Sequence, residues 1–322
     1  MSGLQLRLDV TAQAPVVSSR EAAIRLGLRS ASVASTPAGL LPIAIHNRLI
    51  GRERFSSDEF AVSPLVVNGH EFYWLNPPAP DTCAKVGLRG HRIVGDTSGR
   101  LETLRAALEI IGMRAQALEL VRTFITTFGW VEPADDGSSE PLLTSCSLPD
   151  LPLMAFVSDM ADRHIPPLTV AAEGSPRLLA ENIYHESVHQ LVNFRILSED
   201  LFRPDYDSRR SPLVPIAWRR TSIKRNQDWP LDRVLHAASV YSQLLDWRLH
   251  ELRSDILTGT ERAAIEKAAV DSLESATFLS AALCENIDWF TPAGALFVGR
   301  LAQSAEQRVR MLSDMLEVEL VG

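Results

Sequence analysis

The chain has 322 residues, of which 46% are hydrophobic and 22% charged, and its formal net charge is −8. This composition is that of an ordinary globular protein with one large core or two smaller ones. No segment approaches the ~18 consecutive apolar residues of a membrane helix, and the first residues lack the pattern of a secretory signal. The basic residues are scattered, which argues against nucleic-acid binding. We therefore expect a soluble, cytoplasmic protein without a membrane or nucleic-acid partner.

Residues 1–95 are predicted to form an N-terminal lobe that contains β-structure. Segments 43–49 and 60–75 are rich in Val, Ile, Phe and Tyr, which are typical of strands. Asn68-Gly69 lies between two apolar runs, and this dipeptide is a signal for a hairpin turn. Residues 96–322 are predicted to form a mainly helical catalytic region, so the expected fold class is α+β.

From residue 98 onward, apolar residues recur at three- and four-residue spacing. This spacing predicts a long amphipathic helix with Ser98 as its N-cap and Gly129 as its end. Residues 132–150 have the composition of a loop, and residues 151–157 are predicted to form a short strand. The remaining helices are predicted near 177–199, 231–256, 261–286 and 300–319.

The motif that carries most chemical information is HExxH at residues 185–189. Residues four apart stack on one face of a helix, so His185 and His189 can bind one divalent metal ion. Glu186 lies one step around the helix, where its carboxylate can reach the metal or a metal-bound water. The histidines share an otherwise apolar stripe, which predicts that they point toward the interior. The alternative is a chance occurrence of a loose pattern.

A third metal ligand must come from elsewhere in the chain. The common metalloprotease extension needs a glycine and then a histidine, and this chain has Val192 and Arg195 at those positions. A glutamate ligand from a later segment would be Glu199 or Glu251. The better candidate is His236, because its predicted helix begins at a proline and two alanines beside it would allow a neighbour to approach closely. The alternative for His236 is a hydrogen-bonded core histidine.

An ordered set of segments around this motif resembles a bacterial family. The chain resembles the HExxH-motif peptide-modification proteins, which accompany systems that make ribosomally synthesised, modified peptides (RiPP biosynthesis). The resemblance covers roughly residues 98–250 and rests on four segments: 145–153, 184–193, 214–219 and 234–241.

The resemblance implies an oxidoreductase, an Fe(II)- and 2-oxoglutarate-dependent dioxygenase that hydroxylates the β-carbon of a residue in a peptide. The peptide substrate would be a ribosomally synthesised precursor. Carried over residue by residue, the resemblance implies His185, His189 and His236 as metal ligands, with Glu186 in or beside the coordination shell. A familiar non-haem iron site has two histidine ligands and one carboxylate ligand. Three histidine ligands would therefore differ from that familiar coordination shell.

The resemblance also points to a carboxylate partner for 2-oxoglutarate. Arg219 is the candidate, since a guanidinium can bind a carboxylate through two parallel hydrogen bonds. Arg220 competes for this role. The alternative for either arginine is a surface salt bridge.

Two other functions remain open at this point. In a zinc peptidase, Zn(II) would activate water with Glu186 as general base, and residues 151–157 at a sheet edge could align an extended peptide. In a non-catalytic scaffold, the metal would be structural or a relict. An enzyme should lose turnover in Glu186→Gln, whereas a scaffold should change little.

Overall fold

A computed structural model describes residues 36–49, 59–77, 88, 90–96, 99–134, 143–148, 151–166, 169–219, 227–254 and 256–321. It has a mixed sheet and a majority of helical residues, which confirms the α+β class. The α-helices of these ranges are α1 (Leu41–Leu49), α2 (Arg100–Gly112), α3 (Ala115–Phe124), α4 (Pro176–Ser198), α5 (Leu231–Leu252), α6 (Gly259–Glu285) and α7 (Pro292–Val321). The strands are β1 (Val62–Val67), β2 (His70–Leu75), β3 (His91–Val94), β4 (Ile125–Pro133), β5 (Ser145–Leu148), β6 (Leu151–Val157), β7 (His164–Ile165), β8 (Thr169–Val170), β9 (Leu213–Pro215) and β10 (Asp228–Pro230).

Contacts divide the chain into two compact units. Of the described residues, those between 36 and 194 belong to the first unit, and those between 195 and 321 belong to the second. The predicted division between residues 95 and 96 does not coincide with this boundary. The reason is that β1 and β2 belong to the same sheet as β4, β5 and β6, which come from the other side of residue 95.

The first unit contains a six-stranded mixed sheet. Its order is β1-β2-β4-β6-β5, and β3 pairs with the second half of β4. The central strands β2, β4 and β6 run parallel, whereas β5 runs antiparallel to β6 at the edge. Every residue of β6 is buried, as expected for a strand with neighbours on both sides.

The predicted hairpin and the predicted strand 151–157 are confirmed. Val67 pairs with His70, so Asn68 and Gly69 form the two-residue turn between β1 and β2. Their φ angles are 50° and 75°, the positive values that a type I′ turn requires.

The expectation of β-structure at residues 43–49 is wrong, because this segment lies in α1. Its Ile- and Leu-rich composition suits a buried strand and a buried helix equally, and a short apolar run cannot distinguish them. Ile43 and Ile45 pack into the core from the helix. Pro42 lies in the first turn of α1, where a proline costs little.

The predicted long helix is also corrected. It begins after Gly99, breaks after Gly112, resumes as α3 and ends at Phe124. Ser98, the predicted N-cap, lies outside the described residues. Gly129 does not end a helix: it lies within β4, where a Cβ atom would come within 2.7 Å of the Phe156 ring. Glycine therefore allows β4 to pack closely against Phe156 of β6.

The loop predicted over residues 132–150 contains a strand. Ser145–Leu148 forms β5, and the end of β4 reaches Pro133. Residues 135–142 and 149–150 of this prediction lie outside the described residues. The sheet edge is therefore formed by β5 and not by residues 151–157, which form the interior strand β6.

The second unit contains α5, α6 and α7, which confirm the helices predicted near 231–256, 261–286 and 300–319. Two buried arginines connect these helices. Arg248 of α5 is 0% exposed and donates to the Ala268 carbonyl of α6 over 2.7 Å. Arg308 of α7 forms a buried ion pair with Asp246 of α5. Of the helices in the described ranges, none is long and apolar enough to span a membrane.

Candidate functional site

Hydrogen bonds from polar side chains hold helix α4 against the rest of the first unit. The Asn182 amide donates to the carbonyls of Ala161 and His164 over 2.8 and 2.7 Å. Gln190 donates to the carbonyl of Met154 in β6 over 3.4 Å. These buried contacts on both sides of the HExxH motif fix the rotation of the helix, and hence the direction of its histidines.

The structure brings His185 and His189 together. Their Nε2 atoms lie 3.0 Å apart, and their ring centroids are separated by 4.7 Å. The His185 side chain is 17% exposed, and His189 is also partly exposed. Both imidazoles are therefore mostly buried, and each keeps part of its surface accessible. Their partial exposure is what a metal site that admits a ligand or substrate requires.

The spacing of the two Nε2 atoms fits a shared metal ion. Metal–imidazole bonds of about 2.1 Å that meet at a right angle place the two nitrogens about 3.0 Å apart. Without a metal, two nitrogens 3.0 Å apart can share one proton, which requires at least one neutral imidazole. Neutral imidazole is also the form that binds a metal.

Glu186 is the buried member of the motif. It is 2% exposed, and its Oε1 atom accepts a hydrogen bond of 2.6 Å from the Ser145 hydroxyl. The same oxygen lies 3.7 Å from Nδ1 of His185. Burial raises the pKa of Glu186 to about 7, although hydrogen bonds from Ser145 and Ser147 partly offset this effect. The carboxyl group can therefore take up and release a proton near neutral pH.

The contact between β5 and Glu186 was not anticipated from the sequence. Ser145 is 41 residues from Glu186 in a segment with loop composition, so no local spacing connects them. Cys146 lies between the two serines, and burial, reinforced by the charge of Glu186, raises its thiol pKa. The thiol stays protonated at neutral pH, which argues against a nucleophilic role.

Of the predicted metal ligands, the third has the least structural support. Among the residues that the structure describes, no group of three or more His, Cys, Asp or Glu side chains is arranged to hold a metal ion. Of the glutamates considered, Glu199 is exposed and lies 3.4 Å from Arg195, whereas Glu251 is buried in α5. Neither glutamate joins the histidine pair in such a group.

His236 belongs to the second unit, on the second turn of α5. Burial lowers its pKa to about 4, although the nearby Asp232 carboxylate opposes this effect. The imidazole is therefore neutral at physiological pH, as both a metal ligand and a core histidine would be. Its assignment as the third ligand stays a prediction.

Arg219 also belongs to the second unit. It ends a short 3-10 helix, Ala217–Arg219, and its guanidinium lies 5.2 Å from the centre of the Trp229 ring. Arg233, which the sequence did not single out, lies 4.7 Å from the same ring. Arg220 lies outside the described residues.

Comparison with known proteins adds no family assignment. No protein-family model matches the chain, and no curated protein matches it. The resemblance to the HExxH-motif peptide-modification proteins therefore stays a prediction that rests on the four sequence segments.

Proposed function

We propose that the protein is a metal-dependent enzyme that modifies a peptide, by Fe(II)- and 2-oxoglutarate-dependent hydroxylation of a β-carbon. The observation that supports it is the pair of Nε2 atoms, 3.0 Å apart on α4, beside the buried carboxylate of Glu186. The peptide would be a ribosomally made precursor. This part of the proposal rests on the resemblance, as does the choice of iron over zinc.

His185 and His189 would hold the metal, and they are partly exposed, so a substrate can approach them. Bound Fe(II), together with 2-oxoglutarate and oxygen, would supply the oxidising chemistry. The hydrogen bond from Ser145 to Glu186 would help to orient the face of α4 that carries His185. The carboxyl group of Glu186 can also hold a proton near neutral pH. Arg219 is the proposed partner of a cosubstrate carboxylate, and the proximity of its guanidinium to Trp229 keeps it in place.

A zinc peptidase is the second candidate, and two observations favour it. The carboxyl group of Glu186 lies 3.7 Å from Nδ1 of His185, where a carboxylate could act as the general base for a metal-bound water. Strand β5, an antiparallel strand at the sheet edge, contacts Glu186 through Ser145 and could align an extended peptide. In this reaction Glu186 would accept a proton from the water and transfer it to the leaving amine.

Anaerobic reconstitution separates the two candidates. The protein is loaded with Fe(II) or Zn(II), 2-oxoglutarate is added, and the visible charge-transfer band of an iron–oxoacid complex is recorded. Air is then admitted and succinate is measured with and without candidate precursor peptides. The hydroxylase predicts the band with Fe(II), and succinate that increases with the correct peptide.

The zinc peptidase predicts no charge-transfer band and no succinate. It predicts instead that the Zn(II) form cleaves a peptide, and that Glu186→Gln abolishes this cleavage. Glu109→Gln, an exposed glutamate on α2, is the matched control and should retain whichever activity is found. Failure of the protein to bind either metal would contradict both candidates.

A further inference from the structure

Glu186 lies beside the ring nitrogen of His185 that does not face His189. Nε2 of His185 lies 3.0 Å from Nε2 of His189, so a shared metal ion would bind at these two nitrogens. Nδ1 of His185, the other ring nitrogen, lies 3.7 Å from Oε1 of Glu186. The carboxylate is therefore within reach of the nitrogen that a metal ion would leave unbound.

The proton of a metal-binding imidazole must be on the nitrogen away from the metal. A neutral imidazole has one protonated and one unprotonated nitrogen, and only the unprotonated one can bind a metal. Binding through Nε2 of His185 thus requires an N–H group at Nδ1, and metal-binding histidines commonly donate this hydrogen to a carboxylate. A movement of roughly 0.5–1 Å would bring Oε1 of Glu186 from its 3.7 Å separation to hydrogen-bond distance of Nδ1.

Strand β5 holds the Glu186 carboxylate in this position. Its Oε1 atom, the one near His185, accepts a hydrogen bond of 2.6 Å from the Ser145 hydroxyl. The backbone N–H of Ser147, on the same strand, also donates to the carboxylate. Because the side chain is buried, it cannot turn toward water to satisfy its oxygens. The carboxylate therefore stays between β5 and the His185 ring.

We propose that Glu186 is a positioning residue for the metal centre, which accepts the Nδ1 hydrogen of His185 and so keeps Nε2 of His185 unprotonated and available to the metal. This role is the same for Fe(II) and Zn(II), and it rests on the metal binding assigned by the proposed function. It differs from the roles of direct metal ligand and general base, because the carboxylate acts on the metal through His185.

The proposal also determines how the two histidines share a proton in the metal-free protein. Nitrogens 3.0 Å apart form a hydrogen bond only if one is a donor and the other an acceptor. With its proton on Nδ1, His185 is the acceptor at Nε2, so His189 must be the donor. His185 is then already in the form that binds a metal, whereas His189 has to move its proton when the metal binds.

NMR of the metal-free full chain tests this assignment and needs neither metal nor activity. Protein with isotope-labelled histidine is measured at pH 8, about one unit above the Glu186 pKa of about 7, so that the carboxylate is ionised. The signals are assigned with His185→Ala and His189→Ala. We expect the proton on Nδ1 in His185 and on Nε2 in His189. In Glu186→Ala, His185 should populate both forms, whereas Glu186→Gln should keep the preference because its amide oxygen can still accept.

Calorimetry with Zn(II) measures the consequence for metal binding. Glu186→Ala should bind Zn(II) about 10- to 100-fold more weakly than the unmodified protein, as expected when a carboxylate behind a histidine ligand is removed. Glu186→Gln should lose less affinity than Glu186→Ala. The control is Glu109→Ala, which removes an exposed carboxylate on α2 and should bind Zn(II) like the unmodified protein. Circular dichroism spectra and melting temperatures verify that the variants are folded, and the NMR result on the unmodified protein does not depend on them.

Three results would overturn the proposal: a proton on Nε2 of His185 in the metal-free protein, Glu186→Ala that binds Zn(II) as tightly as Glu109→Ala, or Glu186→Gln that loses as much affinity as His185→Ala. The last result would make Glu186 a direct ligand. Failure of the proposed function gives a different pattern. A protein that binds no metal but carries the His185 proton on Nδ1 would keep the interaction with Glu186 and contradict the proposed function. Metal binding that is unaffected by Glu186→Ala would leave the metal centre and eliminate the positioning role.

Discussion

The hydroxyl of Ser145 lies 2.6 Å from Oε1 of Glu186, so a buried hydrogen bond joins the edge strand β5 to the HExxH helix α4. A carboxylate that is 2% exposed depends on such donors, because it has few water molecules to accept from. Ser145 therefore stabilises the position of the residue that the proposed chemistry needs beside the metal.

Ser145→Ala should lower the free energy of unfolding by about 1–3 kcal/mol, because it removes a donor from a buried carboxylate. In a Glu186→Gln background, the same substitution should cost less, since an amide is neutral and needs less compensation. Urea denaturation of the four proteins in this double-mutant cycle measures the coupling energy. Additive effects of the two substitutions would contradict the structural role given to this hydrogen bond.

The site could be predicted from the sequence only where its residues are close along the chain. His185 and His189 were found because helical periodicity puts residues four apart on one face. The contacts of Ser145 with Glu186 and of Arg233 with Trp229 were not predicted, since only the folded chain brings these residues together. The deeper burial of Glu186 than of the two histidines likewise depends on how α4 is rotated against the sheet.

In the fold, too, an element with a strong local sequence signal was predicted, and elements with a weak or ambiguous signal were missed. Asn68-Gly69 identified its hairpin because the turn itself requires positive φ angles. Strand β4 was missed, since its apolar residues directly continue the helical spacing of α3, and only their β-branched and aromatic composition indicates a strand. Strand β5 was missed because four residues among prolines and serines carry too weak a pattern.

Acid should weaken the first unit through Asp159. Burial alone would raise the pKa of Asp159, but hydrogen bonds from Arg100 and Trp130 outweigh burial and lower it below its usual value of about 3.9. A carboxyl group with a lowered folded-state pKa contributes stability above its unfolded pKa, and this contribution is lost as the pH falls through the folded pKa. Asp159→Asn should therefore be less stable than the unmodified protein at pH 7, and this difference should shrink as the pH falls below the unfolded pKa of about 3.9.

Denaturant titrations from pH 7 down to pH 2.5, about 1.4 units below the unfolded pKa, test this prediction. The exposed Glu109→Gln variant serves as the control for a general effect of removing a negative charge. A stability difference between Asp159→Asn and the unmodified protein that stays constant over this range would show that Asp159 does not contribute in this way.

The ion pair between Arg308 and Asp246 should stabilise the second unit only while both partners are present. Arg308 donates to Asp246 through two nitrogens and to the Ser242 hydroxyl over 2.9 Å, and the two charged side chains are 6% and 10% exposed. Arg308→Met should lower the free energy of unfolding by about 3–5 kcal/mol, because Asp246 becomes a buried, unpaired charge. Adding Asp246→Leu should restore most of this loss.

Urea unfolding of the single and double variants measures this recovery. Arg310→Met replaces an exposed arginine on the same helix and should change stability by less than about 0.5 kcal/mol. A double variant as unstable as Arg308→Met would indicate that the contact with Ser242, and not the unpaired charge, dominates the loss.

The central claim is that His185 and His189 bind one metal ion together. The most direct test is calorimetric titration of the metal-free protein, with Fe(II) under anaerobic conditions and with Zn(II). We predict equimolar binding, with His185→Ala and His189→Ala each at least about 100-fold weaker. His70→Ala, a histidine on β2, should bind like the unmodified protein. Unchanged metal affinity in His185→Ala and His189→Ala, or no binding by the unmodified protein, would contradict the claim.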